Sequence, residues 1–249
     1  MKLENDERLD YLFFDEKLKI VQSDRFFSFS LDSVLLAAFA HVPVRKGRLI
    51  DLCSGNGAIA LMLTKRTKGS ITAVEIQPRA HEAAEKSVRL NGLEERIRLI
   101  CGDLKDMPQR LGQGSFDVVT CNPPYFSTSE KSGMKTNEPV AAARHELYTT
   151  IEDVVSSGGK LLKQGGKAAF VYPAERFLDL AVLMRTYRLE PKRILWVHPK
   201  PGKAANRLLV EGKKDAKPGL RVLPPLTVYD ENDQYTKELR MFCHITCTP

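Results

Sequence analysis

The chain has 249 residues, 43% of them hydrophobic and 28% charged, enough for a substantial core in one enlarged domain. No apolar stretch approaches the roughly 20 residues of a membrane span, and the polar, acidic Met1–Asp10 is no signal peptide. Five cysteines, an odd number without framework spacing, argue against a disulfide scaffold and suit a reducing cytoplasm. The net charge is +7.

Residues 1–47 form an N-terminal segment ahead of the first strand of the main fold. Leu18–Gln22 predicts a short strand, and Ser33–His41 a helix with Asp32 near its start. Between them Arg25–Asp32 holds three phenylalanines in four residues, Phe26, Phe27 and Phe29, which suit core packing or contact with a ligand.

An apolar strand from Arg48 to Leu52 then runs into a tight turn, Cys53-Ser54-Gly55-Asn56-Gly57, followed by a helix over Ala58–Arg66. The two glycines permit positive φ and close backbone approach, and such a loop aims N–H groups from a helix start. A two-glycine loop alone is weak evidence for a nucleotide. The next strand, Ser70–Val74, ends at Glu75 and Ile76, and Glu75 lies 18 residues beyond Gly57. From that place a carboxylate takes ribose hydroxyls in doubly wound folds. A helix is expected over Pro78–Asn91, with proline in its first turn and Asn91-Gly92 as its stop. A third strand, Ile97–Cys101, ends at Gly102-Asp103-Leu104, where a second carboxylate can reach an adenine amino group.

The apolar run Phe116–Cys121 reads as a buried strand that ends in Asn122-Pro123-Pro124-Tyr125, with Phe126 next. Two prolines fix φ and donate no N–H, so nearby carbonyls can face a ligand. Asn122 adds a side-chain acceptor and Tyr125 an aromatic face. Together they form a socket for a planar group bearing an NH2. A long polar stretch, Ser127–Asn137, follows and is expected to close over an acceptor or to remain a surface loop.

Further elements are a helix over Ile151–Leu162 and strands over Lys167–Val171, Arg193–Val197 and Arg207–Glu211. The last two flank Lys200-Pro201-Gly202-Lys203 and suggest an antiparallel closing pair. Alternating β and α segments predict an α/β, doubly wound, mainly parallel sheet with helices on both faces. The charge excess sits in 191–221, where Lys192, Arg193, Lys200, Lys203, Arg207, Lys213, Lys214, Lys217 and Arg221 face only Glu211 and Asp215. Such a concentration favours a polyanionic partner. Cys243-His244 with Cys247 lacks a second ligand pair, so no metal site is expected, and Cys53 and Cys121 read as small apolar packers rather than nucleophiles.

The glycine loop, the acids at successive strand ends and the Asn-Pro-Pro-Tyr turn resemble the class I S-adenosylmethionine-dependent methyltransferases, in their amino-methylating branch. This likeness covers 48 to about 172. It implies a Rossmann-like methyltransferase domain over 48–249 with 1–47 covering the cofactor site. The cofactor residues it implies are Phe29, Ser30, Asp51, Cys53, Ser54, Gly55, Asn56, Gly57, Glu75, Ile76, Gly102, Asp103, Leu104 and Asn122. Asn122 to Tyr125 would carry the chemistry. Tyr125, Phe126, Lys192, Arg193, Lys200, Lys203 and Arg207 would meet the substrate.

Phe29–Ala37, Ala143-Arg144-His145-Glu146, Leu189–Arg193 and Val197-His198-Pro199 sharpen the match. They are similar to the bacterial tRNA1(Val) adenine-37 N6-methyltransferase family, over about residues 9–236. That resemblance implies methylation of an adenine beside the anticodon, a base that a loop can splay out at modest cost. The motif itself does not separate adenine from guanine N2 in rRNA or from glutamine in release factors. Release-factor enzymes usually carry a longer helical domain before the glycine loop. A silent RNA-binding protein on the same scaffold is the reading without catalysis, and the intact Asp51, Gly55, Gly57, Glu75, Asp103 and Asn122 argue against it.

Overall fold

Leu49, Ile50 and Leu52 are each at most 1% exposed, because the strand that carries them is covered on both faces. That pattern of continuous burial belongs to the middle of a parallel sheet. The computed structural model describes residues 3–13, 15–24, 28–124 and 149–245.

The chain opens with a hairpin, β1 (Glu7–Leu12) and β2 (Asp15–Ser23), followed by α1 (Leu31–Phe39). It continues through β3 (Arg48–Leu52), α2 (Ala58–Leu63), β4 (Ser70–Glu75), α3 (Pro78–Leu90) and β5 (Ile97–Cys101). A short 3-10 turn, Leu104–Asp106, leads into α4 (Met107–Leu111) and β6 (Phe116–Cys121). After the undescribed stretch come α5 (Ile151–Leu161), β7 (Leu162–Pro173), α6 (Phe177–Thr186), β8 (Leu189–His198) and β9 (Arg207–Lys214). Two short strands, β10 (Arg221–Val222) and β11 (Leu226–Thr227), precede α7 (Lys237–Ile245).

The main sheet has the order β10-β8-β9-β7-β6-β3-β4-β5, with β11 pairing with β8 beyond β10. All neighbours from β7 to β5 are parallel, whereas β9 is antiparallel to both β7 and β8. From β3 the chain winds out through β4 and β5, then returns to place β6 on the other side of β3. The strand order thus reverses between β3 and β6, and at the carboxyl ends of such a pair an open α/β sheet places its ligand crevice.

Side chains alternate between two cores. Leu49, Val118, Ala169 and Leu209 face α1, α2 and α7, while Ile50, Val119, Phe170 and Val210 face α5 and α6. The hairpin lies against α3, where the Val21 N–H donates to Ser87 Oγ (2.9 Å) and the Lys19 N–H to Asn91 Oδ1 (3.0 Å). None of the helices among the described residues is long and apolar enough to cross a membrane.

The expected doubly wound sheet and its antiparallel closing pair are present. The strand expected over Leu18–Gln22 is longer and has a partner, β1, that its sequence does not announce. Only Leu12 of its run Glu-Arg-Leu-Asp-Tyr-Leu is buried, and its pairing with β2, not an apolar period, makes it a strand. The helix after Gly57 is regular only to Leu63, and that near Asp32 begins at Leu31.

Candidate active site

At the end of β3 the backbone turns sharply. Cys53 adopts φ 57°, a left-handed conformation that costs a residue with a Cβ about 1–2 kcal/mol. The Ser54 N–H then donates to the Val74 carbonyl on β4 (2.9 Å), and the Gly57 N–H closes the turn on the Ser54 carbonyl (2.9 Å). Gly57 (φ 86°) packs on α3, where an added Cβ would stand 3.4 Å from that of Ala84. Gly55 (φ 54°) is different: a Cβ there would meet nothing within 4 Å, so its Cα faces open space over the crevice.

Glu75, at the end of β4 and 5% exposed, holds this loop in place. Its Oε2 accepts from the Gly55 N–H (2.8 Å) and its Oε1 from the Gln77 N–H (2.9 Å). Asn56 is committed elsewhere: its side-chain amide donates to the Val21 carbonyl (3.0 Å) and is buried. That bond ties the N-terminal hairpin to the glycine loop and takes up the Asn56 side-chain amide. At the end of β5 the Gly102 N–H donates to the Glu75 carbonyl (2.9 Å). Asp103 Oδ1 caps the following turn by accepting from the Lys105 N–H (2.9 Å), and its Oδ2 faces the Lys105 ammonium at 3.3 Å. Ile76 is half-buried and Leu104 is buried beside them.

Below the loop, Asp51 is fully buried in register with Thr120 of β6, whose hydroxyl donates to Asp51 Oδ1 (2.7 Å). Burial pushes the Asp51 carboxyl up to about 8, against the Thr120 bond that lowers it and with the charge of Glu75 raising it further. Asp51 Oδ2 and Ser54 Oγ are buried and have no hydrogen-bond partner among the described residues. Burial, reinforced by the neighbouring Cys53 thiol, raises the Cys121 thiol well above its ordinary value, which keeps it a packing group.

Beside the loop, β6 ends at Cys121 and leads into Asn122, which is half-buried, with Pro123 buried beyond it. The Asn122 Nδ2 donates to Ser33 Oγ on the first turn of α1 (3.3 Å). This contact brings the Phe29–Ser33 segment to the mouth of the crevice. Ser30 occupies the N-cap position of α1, and Phe29 packs edge-on against Phe13 with ring centres 5.2 Å apart. Pro124 is half-buried. Tyr125, Phe126, the stretch Ser127–Asn137, Ala143–Glu146 and Cys247 lie outside the described residues.

The fold therefore gathers the glycine loop, Glu75, Gly102-Asp103 and Asn122 at adjacent strand ends. It does not keep the basic residues of 191–221 together, because the β8–β9 hairpin sends them to different levels of the sheet. Lys200, Lys203 and Arg207 lie at the carboxyl edge, where β9 begins opposite Val197. Lys213 and Lys214 lie at the other edge, opposite Glu190 and Leu189. Arg193 is turned inward: its guanidinium meets the buried Glu211 carboxylate at 3.1 Å and stacks on Phe39 at 4.6 Å. Glu211 also accepts from the His41 N–H (2.8 Å). Lys192 donates to the Lys217 carbonyl (3.2 Å). Even Arg207 is part of an internal pair, with Asp32 at 3.0 Å, and Lys200 pairs with Asp233 at the surface.

Two residues of this constellation, Thr120 and Ser33, are not predicted by the sequence. A lone hydroxyl in the apolar run Val118-Val119-Thr120-Cys121 is the available signal for the first. Ser33 gives none, because its partner is 89 residues away along the chain.

The sheet order, the single reversed strand next to its end and the glycine loop hung on the acid of the neighbouring strand define a class I methyltransferase fold. An Agrobacterium tumefaciens protein described as a predicted O-methyltransferase superposes with TM-score 0.70 at 21% identity, over 88% of this chain and 98% of that one. Geranyl diphosphate C-methyltransferase from Streptomyces coelicolor A3(2), solved with S-adenosyl-L-homocysteine, superposes over 74% of this chain and 75% of that one with TM-score 0.52 at 13% identity. These two likenesses concern the fold. The chain belongs to the methyltransferase small domain family, whose pattern matches residues 21–150. Its relatives include the tRNA1(Val) (adenine(37)-N6)-methyltransferase of Shewanella sp. (strain MR-4), 30% identical over 84% of this chain and 87% of that protein. The enzyme of the same name from Actinobacillus succinogenes is 32% identical over 83% of this chain and 84% of its own length.

Proposed function

We propose that this protein transfers a methyl group from S-adenosylmethionine to N6 of adenine 37 in the anticodon loop of tRNA1(Val). What carries the substrate is the similarity to enzymes of that name over more than four-fifths of the chain. The chemistry rests on the crevice, whose chain-contributed groups fit such a cofactor. Asp51 Oδ2 and Ser54 Oγ are orphaned polar atoms beneath the glycine loop, and Gly55 leaves room above it. Glu75 can accept beyond its two backbone bonds and is the candidate for ribose hydroxyls. Asp103 is the candidate for the adenine amino group of the cofactor. The N-terminal segment through Phe29 and Ser30 borders the same crevice.

When bound, S-adenosylmethionine supplies an electrophilic methyl on a sulfonium. The protein's task is to present the acceptor in line with it, and positioning of this kind provides most of the rate gain. An aromatic exocyclic amine is a poor nucleophile because its lone pair is delocalised into the ring. Asn122 Oδ1 and the Pro123 carbonyl would accept hydrogen bonds from the amine and turn its lone pair toward the methyl. The same acceptors stabilise the positive charge that develops on nitrogen. Tyr125, by its place in the motif, would stack on the base and contribute about 1–3 kcal/mol. No strong base is needed, since the methylated cationic amine loses its proton readily.

Incubation with labelled S-adenosylmethionine and total tRNA, total rRNA or release factor tests the reading. Label recovered as N6-methyladenosine from position 37 of tRNA1(Val) is expected. Label in rRNA as N2-methylguanosine, or in a release factor, would overturn the substrate. Asn122→Ala should abolish transfer and leave cofactor affinity within about twofold. Full activity in that variant would remove Asn122 from the mechanism.

A further inference from the structure

A side-chain amide has two ends, and only the oxygen end can accept from an NH2. Presented the wrong way round, Asn122 would set its own NH2 against the amine it has to receive. A contact that holds the NH2 end lies on another element. Asn122 Nδ2 donates to Ser33 Oγ, and Ser33 is 7% exposed on the first turn of α1. That turn is held on two sides. The Ser33 N–H donates to the Ser30 carbonyl (3.1 Å), and the neighbouring Asp32 carboxylate is clamped to Arg207 of β9 at 3.0 Å. From Ser33 to Phe39 every residue of α1 is buried, so the hydroxyl is carried by a helix with no room to shift.

We infer that Ser33 is a positioning residue, which engages the NH2 end of Asn122 so that Oδ1 is presented to the acceptor amine. This rests on the reading that Asn122 Oδ1 accepts from the substrate. Ser33 touches neither the reacting nitrogen nor the methyl group, and its effect passes through the amide it holds. It should therefore alter turnover and leave cofactor binding alone. Loss of its hydroxyl leaves an amide N–H without a partner, and the orientation that satisfies it is then no longer the productive one. The expected loss in kcat is about fivefold to 150-fold, the range that leaving one buried hydrogen-bond partner unsatisfied spans.

The experiment measures kcat and KM for a tRNA1(Val) transcript, together with cofactor Kd by calorimetry, on the full chain. Ser33→Ala should lose kcat by the stated factor with cofactor Kd unchanged, and Ser33→Thr, which keeps the hydroxyl, should recover most of it. Asn122→Asp supplies a sharper arm, because both ends of a carboxylate are oxygens and orientation no longer matters. In that background Ser33→Ala should cost less than twofold. Equal losses from Ser33→Ala in both backgrounds, or a kcat that stays at the wild-type value, would overturn the inference. If Asn122→Asp is itself inactive, the split between kcat and cofactor Kd in Ser33→Ala decides. Activity retained in Asn122→Ala would instead sink the underlying reading of Asn122, whatever Ser33→Ala does.

Discussion

Asp51→Asn should remove most of the pH dependence of stability in the cofactor-free protein between about pH 6 and 7.5. The carboxyl is fully buried, accepts a single bond from Thr120 and has its pKa pushed up to about 8, chiefly by burial. In the unfolded chain the same group titrates near ~4. Between these values the folded protein holds a proton that the unfolded chain has released. Stability therefore falls as pH rises, by about 1.4 kcal/mol per pH unit, and the fall levels off above the folded pKa. Over that interval the loss from this one group is about 2 kcal/mol. Asparagine has the same shape and no charge to desolvate. It keeps the bond from Thr120 through its oxygen and puts an NH2 where the protonated carboxyl already sets an unpartnered O–H, so the offset between the two proteins is smaller than the about 1–3 kcal/mol of a newly orphaned donor and does not vary with pH. Urea unfolding of both proteins at three pH values gives the two slopes directly. The variant should start less stable at the acid end and close the gap as pH rises. Parallel profiles would refute the reasoning, because they would mean that Asp51 is already ionised in the folded protein.

Arg193→Ala should destabilise the fold by about 2–3 kcal/mol in urea, because it leaves the buried Glu211 charge without its guanidinium, while the exposed side of the pair moderates the loss. Its tRNA affinity should stay within twofold, and a loss of binding without a loss of stability would return Arg193 to the RNA surface. Charge reversal at Lys200 and Lys203 should do the opposite. The pair of Lys200 with Asp233 is exposed, so stability should hold within about 0.5 kcal/mol. Filter binding against salt should show weaker tRNA affinity and a slope lower by about 1 for each phosphate that is no longer neutralised. Unchanged binding would place the RNA surface elsewhere.

The strand ends at Glu75 and Asn122 were legible because each closes a largely apolar, mostly buried run, which has few other places in a fold, while Gly102 follows an edge strand, Ile97–Cys101, with Arg98 and Cys101 exposed. The glycine loop was legible for a related reason: Gly55 and Gly57 take conformations that other residues resist. What stayed hidden depends on pairing between distant segments. The basic stretch reads as one patch along the chain, yet a hairpin separates Lys200 from Lys213 by most of the length of a strand. Nothing near Arg193 in sequence announces Phe39 or Glu211 as its partners. The same holds for Asn56, which resembled a ligand contact by its place in the loop but spends its side chain on Val21. Helix α6 was not legible because its apolar residues run nearly all round, with Leu178 at 74% and Val182 at 65% exposure, so it has no clear amphipathic period.

The place of β9 has a consequence for how the protein is made. The strand Arg207–Lys214 fills the gap between β7 and β8, although it is the last of the three to be synthesised. Until it emerges, one edge of the 12-residue β7 is an open ladder whose apolar half, Ala168-Ala169-Phe170-Val171-Tyr172, is buried in the finished fold, and β8 has no neighbour to join. Open apolar edges of this kind recruit other chains. A ribosome paused anywhere between the ends of β7 and β9 would thus display a nascent sheet poised to aggregate, and release of residue 214 would seal it in one step.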